Sequence, residues 1–390
     1  MPHGRHAARL GAAALLALSR EQRPASCEVS YYGSYLQDRF GGGIGTRVGV
    51  DESGKQAVPG TGVVRVASFS ERPEHLRQWA TQENWKRATA VHKGAYFTRY
   101  TNELQESVLE HVRQHYVSTK YVTEGPVIMT LYRFEDEVKE QFNSRVTSLP
   151  SVVHGCFDDK TERCIVDFAN KRLGGGWLSY GCVQEEIMFI ERFDFGAMCA
   201  KSLLEMPDPR EKPLASPFSM QQNEVWILKG APRYAELGWY GRPPKDALKK
   251  VKLLNPAEDH TRPTVIAMDA IKASFEVYEE PHLKMMFTKA YTGFVAAKDN
   301  GQDEVATGSW GCGAFYNSDP VMFVIQALAA NAAKVKLVYH VLGDGKRLAP
   351  GFALLEEALV KKRTVAETLD LLATTCAADP AFRSKFQSKM

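Results

Sequence analysis

The sequence predicts a mixed α/β fold with helices on both faces of a sheet. Short apolar runs of strand length recur from about residue 125 onward, and stretches of helical pattern separate them. Near the C-terminus a helix with proline in its first turn leads into another apolar run.

The elements follow in chain order. Met1 to Arg20 carries Arg5, Arg9 and Arg20, no acid, and an apolar run from Leu10 to Leu18. That run is too short to span a bilayer. It fits a targeting peptide and equally the start of a packed helix. Residues 21–75 read as loop-rich, with Gly41-Gly42-Gly43-Ile44-Gly45 and Pro59-Gly60-Thr61-Gly62. No strand–turn–helix context surrounds the first run, so a flexible segment is expected there and not a phosphate loop. Residues 72–120 are more helical, and Val108, Leu109, Val112 and Tyr116 form an apolar stripe. Strands are expected at Val127 to Leu131, Glu224 to Leu228, Thr264 to Met268 and Lys336 to Leu342. Val152 to Phe157 and Cys164 to Ala169 flank a polar stretch and read as a hairpin. Asp319-Pro320 reads as a cap with proline at the first helical position, opening a helix through Val321 to Ala333. Thr364 and Glu367 have capping-box spacing.

Composition narrows the function classes. A net charge of +3 over 390 residues is too small for a strong basic field, so direct nucleic-acid binding is not expected. The seven cysteines contain no C-x-x-C pair, which argues against a disulfide framework and for a reducing compartment. No Gly-x-Ser-x-Gly elbow and no H-E-x-x-H helix occur, so neither a serine nucleophile nor metal catalysis is supported. No cofactor is expected.

The densest chemistry lies between residues 166 and 186. An apolar strand leads to Asp167, then Asn170, three glycines at Gly174, Gly175 and Gly176, seven further residues, and Gln184-Glu185-Glu186. A carboxylate at the carboxyl edge of a sheet stands where open α/β sheets bind ligands. Glycines leave backbone that a ligand can approach. Adjacent glutamates on a helix point about 100° apart and can do different work. Partly buried like charges push one pKa upward, and a carboxylic acid that keeps its proton can donate it to a leaving oxygen.

This stretch closely resembles the motif of the poly(ADP-ribose) glycohydrolase family: Asp-Phe-Ala-Asn, three glycines, six to eight residues, then Gln-Glu-Glu. A second block, Ala306 to Phe315, resembles the family's diphosphate-binding loop. Weaker correspondences at Asn223 to Trp226, Ala267 to Ala270 and Lys289 to Phe294 fall in family order, and the resemblance spans roughly residues 100 to 345. It implies a macrodomain-like α/β fold. On this basis residues 1–75 are a divergent N-terminal segment, 76–124 a helical accessory region and 125–390 the macrodomain-like catalytic domain. The implied activity is hydrolysis of the ribose–ribose O-glycosidic bonds of poly(ADP-ribose), without a cofactor and away from membranes. Poly(ADP-ribosyl)ated proteins would be partners, in the nucleus or cytoplasm.

The resemblance also implies roles. Glu186 would be the general acid/base. Glu185 would hold ribose hydroxyls, with Asp167 and Asn170 fixing the ribose and the triplet and Gln184 contacting the ligand. Gly174, Gly175 and Gly176 would let backbone approach ribose and phosphates. Tyr240 would lean into the site, with Trp239 as the alternative aromatic. Gly308, Ser309, Gly311, Cys312, Gly313, Ala314 and Phe315 would form the diphosphate loop, and Asp158 would stand near the adenine. Three departures bear on affinity: Ser309 replaces the usual asparagine, Leu342 stands where an adenine-stacking phenylalanine is expected, and the approach Tyr316 to Asp319 is one residue longer. Two rival readings are a non-catalytic ADP-ribose-binding macrodomain, which would lack one or both glutamates, and a hydrolase of another ADP-ribosyl linkage.

Overall fold

A computed structural model describes residues 55–96, 103–121, 125–135, 140–157, 161–179, 181–205, 218–259, 261–274 and 278–384. The N-terminal basic segment, the glycine run at 41–45 and Asp158 therefore lie outside the described residues.

Eleven strands run through the described chain: β1 (Gln56–Val58), β2 (Val63–Glu71), β3 (Val127–Phe134), β4 (Ser151–His154), β5 (Cys164–Ala169), β6 (Glu224–Lys229), β7 (Ala235–Glu236), β8 (Lys252–Leu253), β9 (Thr264–Asp269), β10 (Glu304–Thr307) and β11 (Lys336–Val341). Nine form one sheet in the order β1-β2-β3-β6-β9-β5-β10-β11-β4, and β7 pairs with β8. The sheet has two halves. From β1 to β9 every neighbouring pair is antiparallel; from β9 to β4 every pair is parallel. The parallel half aligns the carboxyl ends of β4, β5, β9, β10 and β11, and a crevice opens there.

Helices cover both faces. Side chains alternate across a strand. On β6, Val225 and Ile227 join the core built on the Glu280–Asp299 and Asp319–Ala333 helices. Trp226 points the other way, onto Phe69 and Phe218 at centroid distances of 5.9 and 5.1 Å. Gly293 lets its helix settle on β9, because a Cβ there would stand 2.8 Å from Ile266 Cγ2. The second face carries the Gln184–Glu191 and Phe193–Glu205 helices, backed by those at Pro73–Trp79, Gln82–Tyr96 and Glu103–Ser118. Trp85, Tyr116 and Trp177 all pack on Phe193, with centroids 4.7–5.8 Å apart. Buried Asp194 accepts hydrogen bonds from Tyr116 (2.7 Å) and Tyr234 (2.9 Å). Burial pushes its carboxyl up to about 6, against the pull of those two hydroxyls. These helices thus share a core with the helices that lie on the sheet.

Most expected elements are present. Val108, Leu109, Val112 and Tyr116 are buried as a stripe, and Thr364 with Glu367 forms a reciprocal capping box. The hairpin expected across residues 152–169 does not form. β4 pairs with β11 at the sheet edge, and β5 lies between β9 and β10, with β10 and β11 separating it from β4. Both segments are apolar with a polar linker, and nothing in that pattern separates direct pairing from pairing through intervening strands. The sheet also begins before residue 125. Pro59 to Gly62, in a region expected to be loop-rich, makes the turn between β1 and β2, with Gly60 at φ 71° and Gly62 at φ 69°. The C-terminal capped helix starts at Asp319 with Ser318 as its N-cap, one residue earlier than expected, which frees the Asp319 carboxylate for other partners.

Candidate active site

β5 and β10 pair at one position only, Ile165 with Ala306, although β5 pairs with β9 at six. Beyond that position β10 diverges. The side-chain amide of Gln184 takes up two backbone groups of β5, accepting from Phe168 N at 2.8 Å and donating to Val166 O at 3.3 Å. Gln184 therefore wedges open the strand ends, a structural duty beyond ligand contact.

The wedge begins the helix that carries Glu185 and Glu186. The Glu185 carboxylate accepts from Asn170 N (2.8 Å) and Gly174 N (2.7 Å). That of Glu186 accepts from Gly176 N (3.2 Å) and Val183 N (3.0 Å). Charge-assisted bonds of this kind fix the orientation of each group. The glycines make the arrangement sterically feasible. Gly175 has φ 51°, and a Cβ on it would stand 2.7 Å from an oxygen of each glutamate. At Gly181 a Cβ would stand 2.4 Å from Glu186 Cγ. The triple glycine thus wraps the carboxylates and is absent from the cavity lining, contrary to the expectation that it meets ribose and phosphates.

Three acids share this pocket, and their exposures separate them: Asp167 0%, Glu185 1%, Glu186 8%. Asp167 lies inside β5, and neither of its carboxylate oxygens has a hydrogen-bond partner. Burial, then the charge of Glu186, raises its pKa well above the ordinary value. Burial, then Asp167 and Glu186, likewise raises that of Glu185 against the Asn170 and Gly174 N–H groups. Burial raises Glu186 too, opposed by N–H donors that include Gly176 and Val183. Three carboxylates buried together resist full ionisation, which favours retention of a proton in the cluster. Beside them, burial and then the charge of Glu186 push the Cys182 thiol up to about 12, which keeps it protonated.

A cavity of about 320 Å³ opens over this pocket. Asn170, Gln184, Glu185, Glu186 and Tyr240 line one end; Gly308, Ser309, Gly311, Gly313, Ala314 and Phe315 line another part. The fold thus joins the two glycine-rich blocks. Tyr240, 53% exposed, stands at the rim, and Gly241 N donates to Cys182 O at 2.6 Å. Two further expected contacts fall elsewhere, as does the alternative aromatic to Tyr240. Asp167 lies beneath the lining, Cys312 turns inward with Sγ 3.4 Å from Trp310 O, and Trp239 does not line the cavity. Asp167 is buried because strand alternation sends it to the face opposite Phe168, toward the glutamate helix.

Other residues escaped the motif reading. Phe157, Phe168 and His340 line the cavity together; Phe157 meets both rings edge-on, at centroid distances of 5.9 and 5.8 Å. Leu342, which the sequence reading did place near the adenine, is 55% exposed and lies in the same lining. Buried Gln105, from the Glu103–Ser118 helix, donates to Gly181 O at 3.0 Å and braces the loop before the glutamates. The weak alternation around Phe157 and the helical stripe around Gln105 gave no chemical signal.

The family profile described as poly(ADP-ribose) glycohydrolase, macro domain fold, matches residues 137–206 and 213–348, together more than half of the chain. The chain belongs to this family. Family members with similar sequences include poly(ADP-ribose) glycohydrolase 1 of Caenorhabditis elegans, 28% identical over 262 residues, covering 62% of this chain and 31% of that protein. Poly(ADP-ribose) glycohydrolase 2 of the same organism is 27% identical over 201 residues, covering 48% and 39%. The match thus spans about a third of these relatives' own length. Among solved structures, the poly(ADP-ribose) glycohydrolase of Thermomonospora curvata is 17% identical, with a TM-score of 0.41, covering 67% of this chain and 100% of that one.

Proposed function

We propose that the protein is a poly(ADP-ribose) glycohydrolase that hydrolyses ribose–ribose O-glycosidic bonds and releases ADP-ribose. The observation that carries this reading is Glu186: a cavity-facing carboxyl of raised pKa, held by two backbone N–H groups beside a second glutamate, in a chain of this family.

The chemistry follows from that placement. Protonated Glu186 donates its proton to the leaving ribose oxygen as the C1–O bond breaks, and positive charge develops on the remaining ribose. The resulting Glu186 carboxylate then takes a proton from water as the water oxygen bonds to C1, and the acid is restored. One glutamate serves both steps. Glu185 and Asn170, at the same end of the cavity, orient the ribose hydroxyls. Asp167 acts from below: its burial against the glutamates favours retention of a proton in the cluster. The loop from Gly308 to Phe315 receives the diphosphate through backbone amides.

Release of ADP-ribose from poly(ADP-ribose) tests the reading. The parent chain is expected to cleave. Glu186→Gln keeps the shape but cannot cycle a proton, so its rate is expected to fall at least ~100-fold with ADP-ribose binding retained. A parent that binds ADP-ribose and releases none would be a reader of the polymer instead of a hydrolase.

A further inference from the structure

The described lining of the cavity includes two glutamates and neither lysine nor arginine; His340 is its one side chain able to carry positive charge. The substrate proposed above brings a diphosphate into that space, and the inference here rests on that reading. Backbone amides of the 308–314 loop offer only partial charges. A buried acid adds to the imbalance, because Asp319 accepts a hydrogen bond from Ser309 Oγ at 2.6 Å, and Ser309 lines the cavity. A carboxylate one side chain behind a phosphate site repels the ligand, and weak screening in a partly buried site preserves that repulsion.

Arg347 is placed to cancel it. This residue belongs to a short 3-10 turn at Gly345–Leu348, outside both glycine-rich motifs. Its Nε lies 3.3 Å from Asp319 Oδ1, and Nη2 lies 3.4 Å from Ser309 Oγ. Nη1 donates to Leu342 O at 2.5 Å and to Asp344 O at 3.3 Å. The guanidinium is thus strung between Ser309 and Leu342, two lining residues that follow the adjacent strands β10 and β11. Its planar fork suits several fixed acceptors at once, which a lysine ammonium would not match.

We infer that Arg347 is the positioning cation of the phosphate end of the cavity: it neutralises Asp319, holds Ser309 in place, and so selects ligands that carry a diphosphate. It acts through those two residues and does not need to touch the ligand.

Binding of ADP-ribose, ADP and adenosine to the full chain tests this. The parent is compared with Arg347→Gln, Arg347→Lys and the double variant Arg347→Gln/Asp319→Asn. Arg347→Gln is expected to weaken ADP-ribose and ADP at least ~10-fold and to leave adenosine within about twofold, because only the charged ligands feel the exposed acid. Arg347→Lys should recover part of the loss, and adding Asp319→Asn should recover most of it, since the acid is then gone. General structural damage would weaken adenosine equally and would not be repaired by a second substitution; that pattern overturns the inference. So does an Arg347→Gln variant that binds ADP-ribose as the parent does. A parent that binds ADP-ribose and ADP but does not cleave polymer removes the hydrolase reading, and the ratio between ligands still decides the role of Arg347. A parent that binds neither overturns both.

Discussion

At Gly175 a Cβ would stand 2.7 Å from an oxygen of Glu185 and of Glu186, whereas at Gly313 it would meet nothing within 4 Å. Both glycines belong to runs that read alike in the sequence, as backbone left bare for a ligand. The structure divides them. The run at 174–176 turns the N–H groups of Gly174 and Gly176 and the empty Cβ space of Gly175 onto the protein's own carboxylates. In the run at 308–313 the glycines line the cavity, but Gly308 and Gly311 also press on His340 O and Ala270 Cβ, and only Gly313 is open. A glycine-rich loop thus marks close approach of something to the backbone, but whether that partner is internal or external depends on what the fold sets opposite.

The largest expected effect that sharpens this contrast is at Gly181. Alanine there collides with Glu186 Cγ, and Glu186 must move from its two N–H donors. A displacement near 1 Å at the reacting group costs on the order of 100-fold in rate, so steady-state release of ADP-ribose by Gly181→Ala should fall by about that factor. Gly313→Ala should hold its stability within about 0.5 kcal/mol in urea denaturation and keep most of its rate. Equal behaviour of the two variants would break the contrast.

A smaller effect is expected at the wedge. Gln184→Ala leaves Phe168 N and Val166 O without their side-chain partner at the strand ends. Loss of about 2 kcal/mol in urea denaturation should follow, with reduced cleavage as the crevice loosens. Unchanged stability would mean that β10 can close the gap.

Next in size is a dependence on pH. The folded-state pKa of Asp167 lies above its ordinary value, so the folded chain holds a proton that the unfolded chain releases. Its stabilising contribution is full below the ordinary carboxylate pKa and is lost as pH rises through the raised value. The parent should therefore melt at lower temperature at about pH 8 than at about pH 5, and Asp167→Asn should lessen that fall. Identical slopes would place the retained proton elsewhere in the cluster. The smallest effect is at the cavity's other end: Leu342→Phe restores a π face and should tighten ADP-ribose binding by on the order of 1 kcal/mol in calorimetry, with the rate of the chemical step unchanged.

Much of this was legible before any coordinates. The fold class, the stripe at Val108 to Tyr116, the capping box at Thr364, and the central strands β6 and β9 follow from local pattern, because burial of an apolar face is written in residue spacing. The triplet Gln184-Glu185-Glu186 was legible because its fixed distance from a glycine run is a local feature as well, while the role of Glu186 came only from the family resemblance. Strand order was not: the segments at β4 and β5 look like a hairpin, and only pairing with β10 and β11 puts two strands between them. Nor was the division of labour among the acids. Asp167, Glu185 and Glu186 are alike as residues, and only the alternation of β5, the Gln184 wedge and the N–H groups around the glutamates put Glu185 and Glu186 in the cavity lining and Asp167 beneath it. Arg347, Gln105 and Phe157 stayed silent for the same reason. Sequence patterns report a residue's neighbours along the chain, whereas pKa, access and orientation are set by neighbours in space, and those exist only once the sheet has closed.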